Sequence, residues 1–128
     1  MTIKEASKIC GISPDTLRYY EKMKVIPAVE RSKSGIRNYK EEDLGWIKNA
    51  KCMRKASLSI EAIAKYVELF MEGDETISDR LELLKEQREI LYRKREEIEE
   101  TLVLLGYKIN IYENAAKTGM LDFTGKDE

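Results

Sequence analysis

The sequence predicts a mainly α-helical protein: a winged helix-turn-helix domain followed by one long coiled-coil helix. Three observations carry that fold class. Two short helical stretches with strong capping residues lie on either side of a turn at Gly11. Apolar positions recur every ~3.5 residues from Ile77 to Tyr112, the period of a coiled coil. The charge is also divided: residues 1–60 carry 13 Lys/Arg against 7 Asp/Glu, and residues 61–128 carry 10 against 17. The formal net charge of −1 hides a basic half and an acidic half, as expected when only one part meets a polyanion.

Thr2 and Glu5 form a capping box that opens the first helix, with Ile3, Ala6, Ile9 and Cys10 on one face. Gly11 can take the left-handed conformation that ends it. Ser13-Pro14-Asp15-Thr16 then restarts a helix, with Ser13 as N-cap and Pro14 in the first turn. Leu17 and Tyr20 share its inward face, which leaves Arg18 and Tyr19 free to meet a partner. Pro27 disfavours helix just before it, so the segment from Met23 closes the element.

Two extended pieces, Val29-Glu30-Arg31 and Ile36-Arg37-Asn38-Tyr39, flank the turn Ser32-Lys33-Ser34-Gly35 and read as a small β-hairpin with cations near its tip. A third helix starts at Glu41-Glu42-Asp43 and runs through Leu44, Ile47, Ala50 and Arg54. Ser59 caps a fourth, whose inward face is Ile60, Ile63, Ala64, Val67 and Phe70, and Gly73 stops it.

The long segment has Ile77, Leu81, Leu84, Arg88, Leu91, Arg95, Ile98, Leu102, Leu105, Ile109 and Tyr112 spaced alternately by four and three. Arginine is the one polar residue type in the stripe. A second chain is the natural cover for so long a stripe; a helix folded back on its own domain is the alternative. The expected organisation is 1–72 for the winged domain, 76–113 for the coiled coil and 114–128 for a tail.

Composition excludes several classes. With 42% hydrophobic and 37% charged residues the chain suits a soluble helical protein better than a disordered one. No segment approaches the ~20 apolar residues that span a bilayer, and Met1-Thr2-Ile3-Lys4-Glu5 lacks the apolar core of a signal peptide. The expected location is the cytoplasm, with Cys10 and Cys52 reduced. The absence of histidine removes the commonest general base and metal ligand, and no Gly-rich phosphate loop is present. Neither an enzyme nor a bound cofactor is expected.

The stretch Thr16-Leu17-Arg18-Tyr19-Tyr20-Glu21-Lys22 resembles the recognition helix of MerR-family transcriptional regulators. So do Arg31, then Gly35-Ile36-Arg37-Asn38-Tyr39, then Glu42-Asp43-Leu44, in the order of that family's wing and third helix. Ser57-Leu58-Ser59-Ile60-Glu61-Ala62-Ile63 resembles the entry to its fourth helix. Ile36 stands where an aromatic is usual, Lys40 where a capping Ser or Thr is usual, and Ser57 where Gly is usual. With no Cys or His after Cys52 and a short segment after Tyr112, the chain is unlike the metal-sensing and multidrug-sensing branches. It is most similar to the short, single-cysteine NmlR/AdhR-like branch.

The resemblance implies a homodimer with antiparallel dimerisation helices, bound to pseudo-palindromic double-stranded promoter DNA and acting on RNA polymerase by distorting the promoter. Such deformation costs about 1–6 kcal/mol, which phosphate contacts can offset. Arg18 is the expected base or groove-floor contact, with Thr16 and Tyr19 on nearby phosphate or bases, and Arg31, Arg37 and Tyr39 on the flanking backbone. The plain alternative is that Arg18 and Arg37 form surface ion pairs, for instance with Glu21 or Glu41.

Cys10 reads as a small buried hydrophobe. Cys52 has Lys48, Lys51, Arg54 and Lys55 within four residues, and cations around a sulfur favour its reactive anionic form. It is the candidate thiol sensor for aldehydes and other electrophiles; a structural cysteine between the third and fourth helices is the alternative. Two further classes stay open for the whole chain: an effector-independent architectural DNA binder, and a coiled-coil adaptor for a protein partner.

Overall fold

The computed structural model describes residues 1–123. Five α-helices follow one another: α1 (Ile3–Cys10), α2 (Pro14–Lys22), α3 (Glu41–Lys55), α4 (Ile60–Glu72) and α5 (Ile77–Thr118), with one 3₁₀ turn at Asp74–Thr76. The chain divides into two compact units, Met1–Gln87 and Arg88–Glu128.

Local chemistry accounts for the helix ends in the first unit. Thr2 and Glu5 make the reciprocal capping box, and Gly11 closes α1 in the left-handed region at φ 67°. Ser13 accepts the Thr16 N–H at the start of α2, and Ser59 accepts the Ala62 N–H at the start of α4. Lys40 offers no side-chain cap to α3; Asp43 Oδ2 accepts the Lys40 N–H at 2.8 Å and supplies half a box. Ser57 sits at φ 70°, a conformation that glycine adopts with least strain, which explains why glycine is usual there.

The core of this unit is built from Ala6, Cys10, Leu17, Tyr20, Val25, Ile26, Leu44, Ile47, Ala50 and Ile63, drawn from all of α1–α4 and the segment after α2. It fixes which face of α2 points outward. Two details depart from the sequence pattern. Leu69 is buried in α4 and Phe70 is 45% exposed, so the inward face is rotated toward Leu69. Phe70 instead meets Trp46 edge-on at 4.9 Å, and the Arg80 guanidinium lies 5.0 Å from its ring centre. Ile9 of α1 is exposed as well.

The link from α4 to α5 is tied by hydrogen bonds. The buried Thr76 hydroxyl lies within reach of the Leu69 and Gly73 carbonyls, and Arg80 donates to Thr76 Oγ1 at 3.1 Å and to the Gly73 carbonyl at 3.2 Å.

The expected β-hairpin reduces to less. Among the described residues there is no strand, only one antiparallel bridge between Arg31 and Arg37. Ser32 N–H donates to the Ile36 carbonyl at 2.7 Å, and Asn38 N–H donates to the Glu30 carbonyl at 2.7 Å. The loop folds back as a hairpin would, but two flanking stretches this short support no longer ladder.

The helix α5 runs six residues past Tyr112, ending at Thr118 with Gly119 at φ 76°. The tail expected from residue 114 therefore begins later. Asn114-Ala115-Ala116-Lys117 contains two alanines, the strongest helix formers, and the heptad pattern had ended without the helix ending. No residue of α5 is buried.

Candidate nucleic-acid interface

The outward face of α2 follows from its inward one. Leu17 and Tyr20 are locked into the core, so Thr16, Arg18 and Tyr19 emerge on other sides of the helix. Ser13 Oγ accepts the Thr16 N–H at 3.2 Å and donates to Thr16 Oγ1 at 2.9 Å, which fixes the first turn. Tyr19 is half exposed. Arg18 donates to Asp15 Oδ1 at 2.8 Å across one turn, with both side chains open to water. Exposed pairs of this kind contribute only about 0–1 kcal/mol, so a phosphate or a base edge can displace Asp15 at small cost.

The wing holds its cations differently. Gly35, at φ 84°, turns the chain, and Arg31 donates to the Gly35 carbonyl at 2.9 Å across the turn. Arg37 Nε donates to Glu21 Oε1 at 2.6 Å, with both side chains largely covered. Glu21 Oε2 accepts the Val29 N–H at 2.8 Å. Burial alone pushes the Glu21 carboxyl up, but the Arg37 hydrogen bond, the Val29 N–H and the charges of Arg37 and Arg31 outweigh it and hold it below the usual value. The ion-pair alternative raised from the sequence thus describes Arg37 with Glu21, and Arg18 pairs with Asp15 instead of Glu21 or Glu41.

Tyr39 was expected on the wing against the flanking DNA backbone, whereas the structure buries it. Its side chain is 1% exposed and belongs to the core. The physical reason is its backbone: the Tyr39 N–H donates to the Met1 carbonyl at 2.8 Å, which draws the residue down beside α1. An aromatic ring gains more from burial than from a grazing surface contact. Among the described residues its hydroxyl has no hydrogen-bond partner. Burial pushes the phenol up, against the nearby charge of Arg37.

The two cysteines separate as the sequence suggested. Cys10 is buried, and burial pushes its thiol up against the charges of Lys48 and Lys51; Cys52 is exposed on α3. The cations credited to Cys52 are partly committed elsewhere. Lys51 Nζ donates to the Cys10 carbonyl at 2.9 Å, and Arg54 donates to the Leu58 carbonyl at 2.7 Å. Lys51 closes the end of α1, a tertiary role that proximity in sequence does not reveal, and Arg54 ties the connection between α3 and α4.

Among the described residues no group of three or more His, Cys, Asp or Glu side chains is placed to hold a metal ion. No helix among them is long and apolar enough to cross a membrane. Two residues of the interface were not singled out as site residues: Asp15, the partner of Arg18, and Glu21, which joins α2 to the wing. For Glu21 the signal was its place in the last turn of α2, among residues already compared with a recognition helix.

Residues 1–69 match the MerR HTH family of regulatory proteins. The chain belongs to that family. It is 50% identical over 91 residues to the HTH-type transcriptional regulator AdhR of Bacillus subtilis (strain 168), a match covering 71% of this chain and 65% of that relative. Among solved structures it is similar to a MerR family transcriptional regulator from Listeria monocytogenes, at 44% identity and a TM-score of 0.75, covering 93% of this chain and 90% of that one. It is also similar to HiNmlR, described as a MerR family regulator lacking the sensor domain and bound to promoter DNA. That likeness has 32% identity and a TM-score of 0.69, covering 94% and 95% of the two chains. These relatives are described as transcriptional regulators, and the mainly helical fold of this chain is similar to that of the two solved structures.

Proposed function

We propose that this MerR-family chain is a sequence-specific, DNA-binding transcriptional regulator that works as a homodimer on promoter DNA. The observation that carries the reading is α2 itself. Its inner face is locked by Leu17 and Tyr20, while Thr16, Arg18 and Tyr19 stand outward beside the cations Arg31 and Arg37. A helix presented in this way fits a major groove, and flanking guanidinium groups fit the backbone phosphates. The likeness to HiNmlR, solved on promoter DNA, supports it.

The homodimer is supported by α5. Leu81, Leu84, Leu91, Ile98, Leu102, Leu105 and Ile109 are exposed, and no residue of the helix is buried. An antiparallel partner sets Leu91 opposite Arg95 and Leu84 opposite Leu102, with Lys85 near Glu99 of the partner subunit. Two copies of α2 then meet two half-sites of a pseudo-palindrome. Bending and untwisting the duplex between them realigns the promoter elements for RNA polymerase.

The input falls to Cys52. Its exposure meets the access that a reactive thiol needs, and Cys10 lacks it. Addition of the Cys52 sulfur to an aldehyde carbonyl forms a C–S bond while the carbonyl oxygen takes up a proton. The added group then changes packing on α3. Cys52→Ser is expected to keep promoter binding and abolish induction by formaldehyde or methylglyoxal, with Cys10→Ser still inducible. Normal induction of the Cys52→Ser protein in treated cells removes the sensor role and leaves the DNA-binding reading intact.

The DNA-binding reading is tested by titrating the protein onto selected and random duplexes over a range of salt. Salt-dependent binding with a preferred site supports it. Binding without preference points to an architectural protein, and no salt-dependent affinity points to a coiled-coil adaptor.

A further inference from the structure

We infer that Glu21 is a positioning residue that latches the wing to the recognition helix and thereby sets how sharply the protein separates its operator from other DNA. This rests on the DNA-binding reading above. Glu21 lies in the last turn of α2, and its carboxylate reaches two separate points of the wing segment. Oε1 takes the Arg37 Nε–H at 2.6 Å, and Oε2 takes the Val29 N–H at 2.8 Å. The second bond ties the backbone where the wing begins, and the first ties the side chain where it returns. With 13% of its side chain exposed and Arg37 at 22%, the pair is shielded from the salt that screens surface charges. Charge-assisted bonds to two donors also fix direction, since neither can relax without loosening the other.

Two consequences follow for DNA. With the latch closed, α2 and the wing meet the duplex as one rigid body, and the flanking phosphates are contacted only when the helix is in register with its bases. The guanidinium has five N–H donors and this bond to Glu21 uses only the Nε–H, so four are left by it while the carboxylate cancels part of the charge. Indiscriminate attraction to phosphate is lowered, and the contact made in register is kept. Glu21 in Tyr20-Glu21-Lys22 is therefore an acidic residue kept against the wing for a reason other than helix propensity.

The test compares Glu21→Gln, Arg37→Gln and the double variant with wild type, using full-length protein. The probes are the site that wild type selects from a random DNA pool and a scrambled duplex. Glu21→Gln is expected to bind scrambled DNA several-fold more tightly, with a salt dependence steeper by about one unit. Its ratio of selected to scrambled affinity should fall about tenfold. Hydroxyl-radical protection of the flanking backbone should become diffuse. In the Arg37→Gln background the same Glu21→Gln change should alter the ratio by less than about twofold, because the latch is already open.

An equal loss in both backgrounds shows a structural role apart from the wing and overturns the inference. So does a Glu21→Gln ratio within twofold of wild type. Should Glu21→Gln fail to fold by circular dichroism, Glu21→Asp serves: it keeps the charge but is too short to reach both donors. It should lose ratio at an unchanged salt slope, and a full wild-type ratio overturns the inference. A wild type with no preferred site overturns the DNA-binding reading together with this one. A preferred site with an insensitive Glu21 overturns this one alone.

Discussion

Leu17, Ile47 and Ile63 of the unit Met1–Gln87 are fully buried, whereas Leu102 and Leu104 of the unit Arg88–Glu128 are 61% and 69% exposed. Both regions are rich in apolar residues, but only the first folds them against one another. The first unit closes its core from α1–α4, so the inward faces of these helices find neighbours within the chain, while Ile77, Leu81 and Leu84 at the start of α5 stay exposed. The second holds most of α5, whose stripe begins at Ile77 in the first unit, and no residue of that helix is buried. The difference teaches that apolar composition alone does not say which apolar residues the chain itself buries.

The largest effect that can break this comparison is in the exposed stripe. Placing Asp at both Leu84 and Leu102 sets charges into the proposed seam, and sedimentation of the full chain at micromolar concentration is expected to show monomers where wild type shows dimers. Thermal melting of the first unit should change little. A pair of variants that still sediments as a dimer places the interface elsewhere.

Within the closed core, Leu17→Ala leaves a cavity and is expected to cost about 2–5 kcal/mol in denaturant unfolding, while Leu104→Ala costs under about 0.5 kcal/mol if the residue stays outside the seam. A smaller effect belongs to the interface. Arg18→Ala should lose about 1–3 kcal/mol of affinity for a selected site and blur preference at one base pair, read by fluorescence anisotropy at matched salt. Ser57→Gly relieves a left-handed residue between α3 and α4 and should stabilise the first unit by about 1 kcal/mol in the same unfolding assay.

These magnitudes follow what was legible in the sequence. Helix ends were legible because capping is chemistry between neighbours: Thr2 with Glu5, Ser13 with Thr16, Ser59 with Ala62. The heptad stripe was legible because it repeats. The wing was legible as a reversal at Gly35, but its pairing shrank to a single bridge, since ladder length depends on strands that the neighbouring residues do not extend. Partners distant in sequence were not legible. Nothing local says that Lys51 reaches the Cys10 carbonyl, that the Met1 carbonyl draws in Tyr39, or that Phe70 turns to Trp46 and Arg80 while Leu69 goes inward. The candidate interface shows the same division. Arg18, Thr16 and Tyr19 were placed by helix phase, and Tyr39 was misplaced because its environment is tertiary.

The central claim is that two copies of this chain, paired through α5, read DNA sequence together through their two α2 helices. Selection of binding sites by the full-length protein from a random duplex pool tests it most directly. The account predicts one enriched site made of two inverted half-sites at a fixed spacing. Enrichment of a single unrepeated half-site, or no enrichment at all, contradicts it.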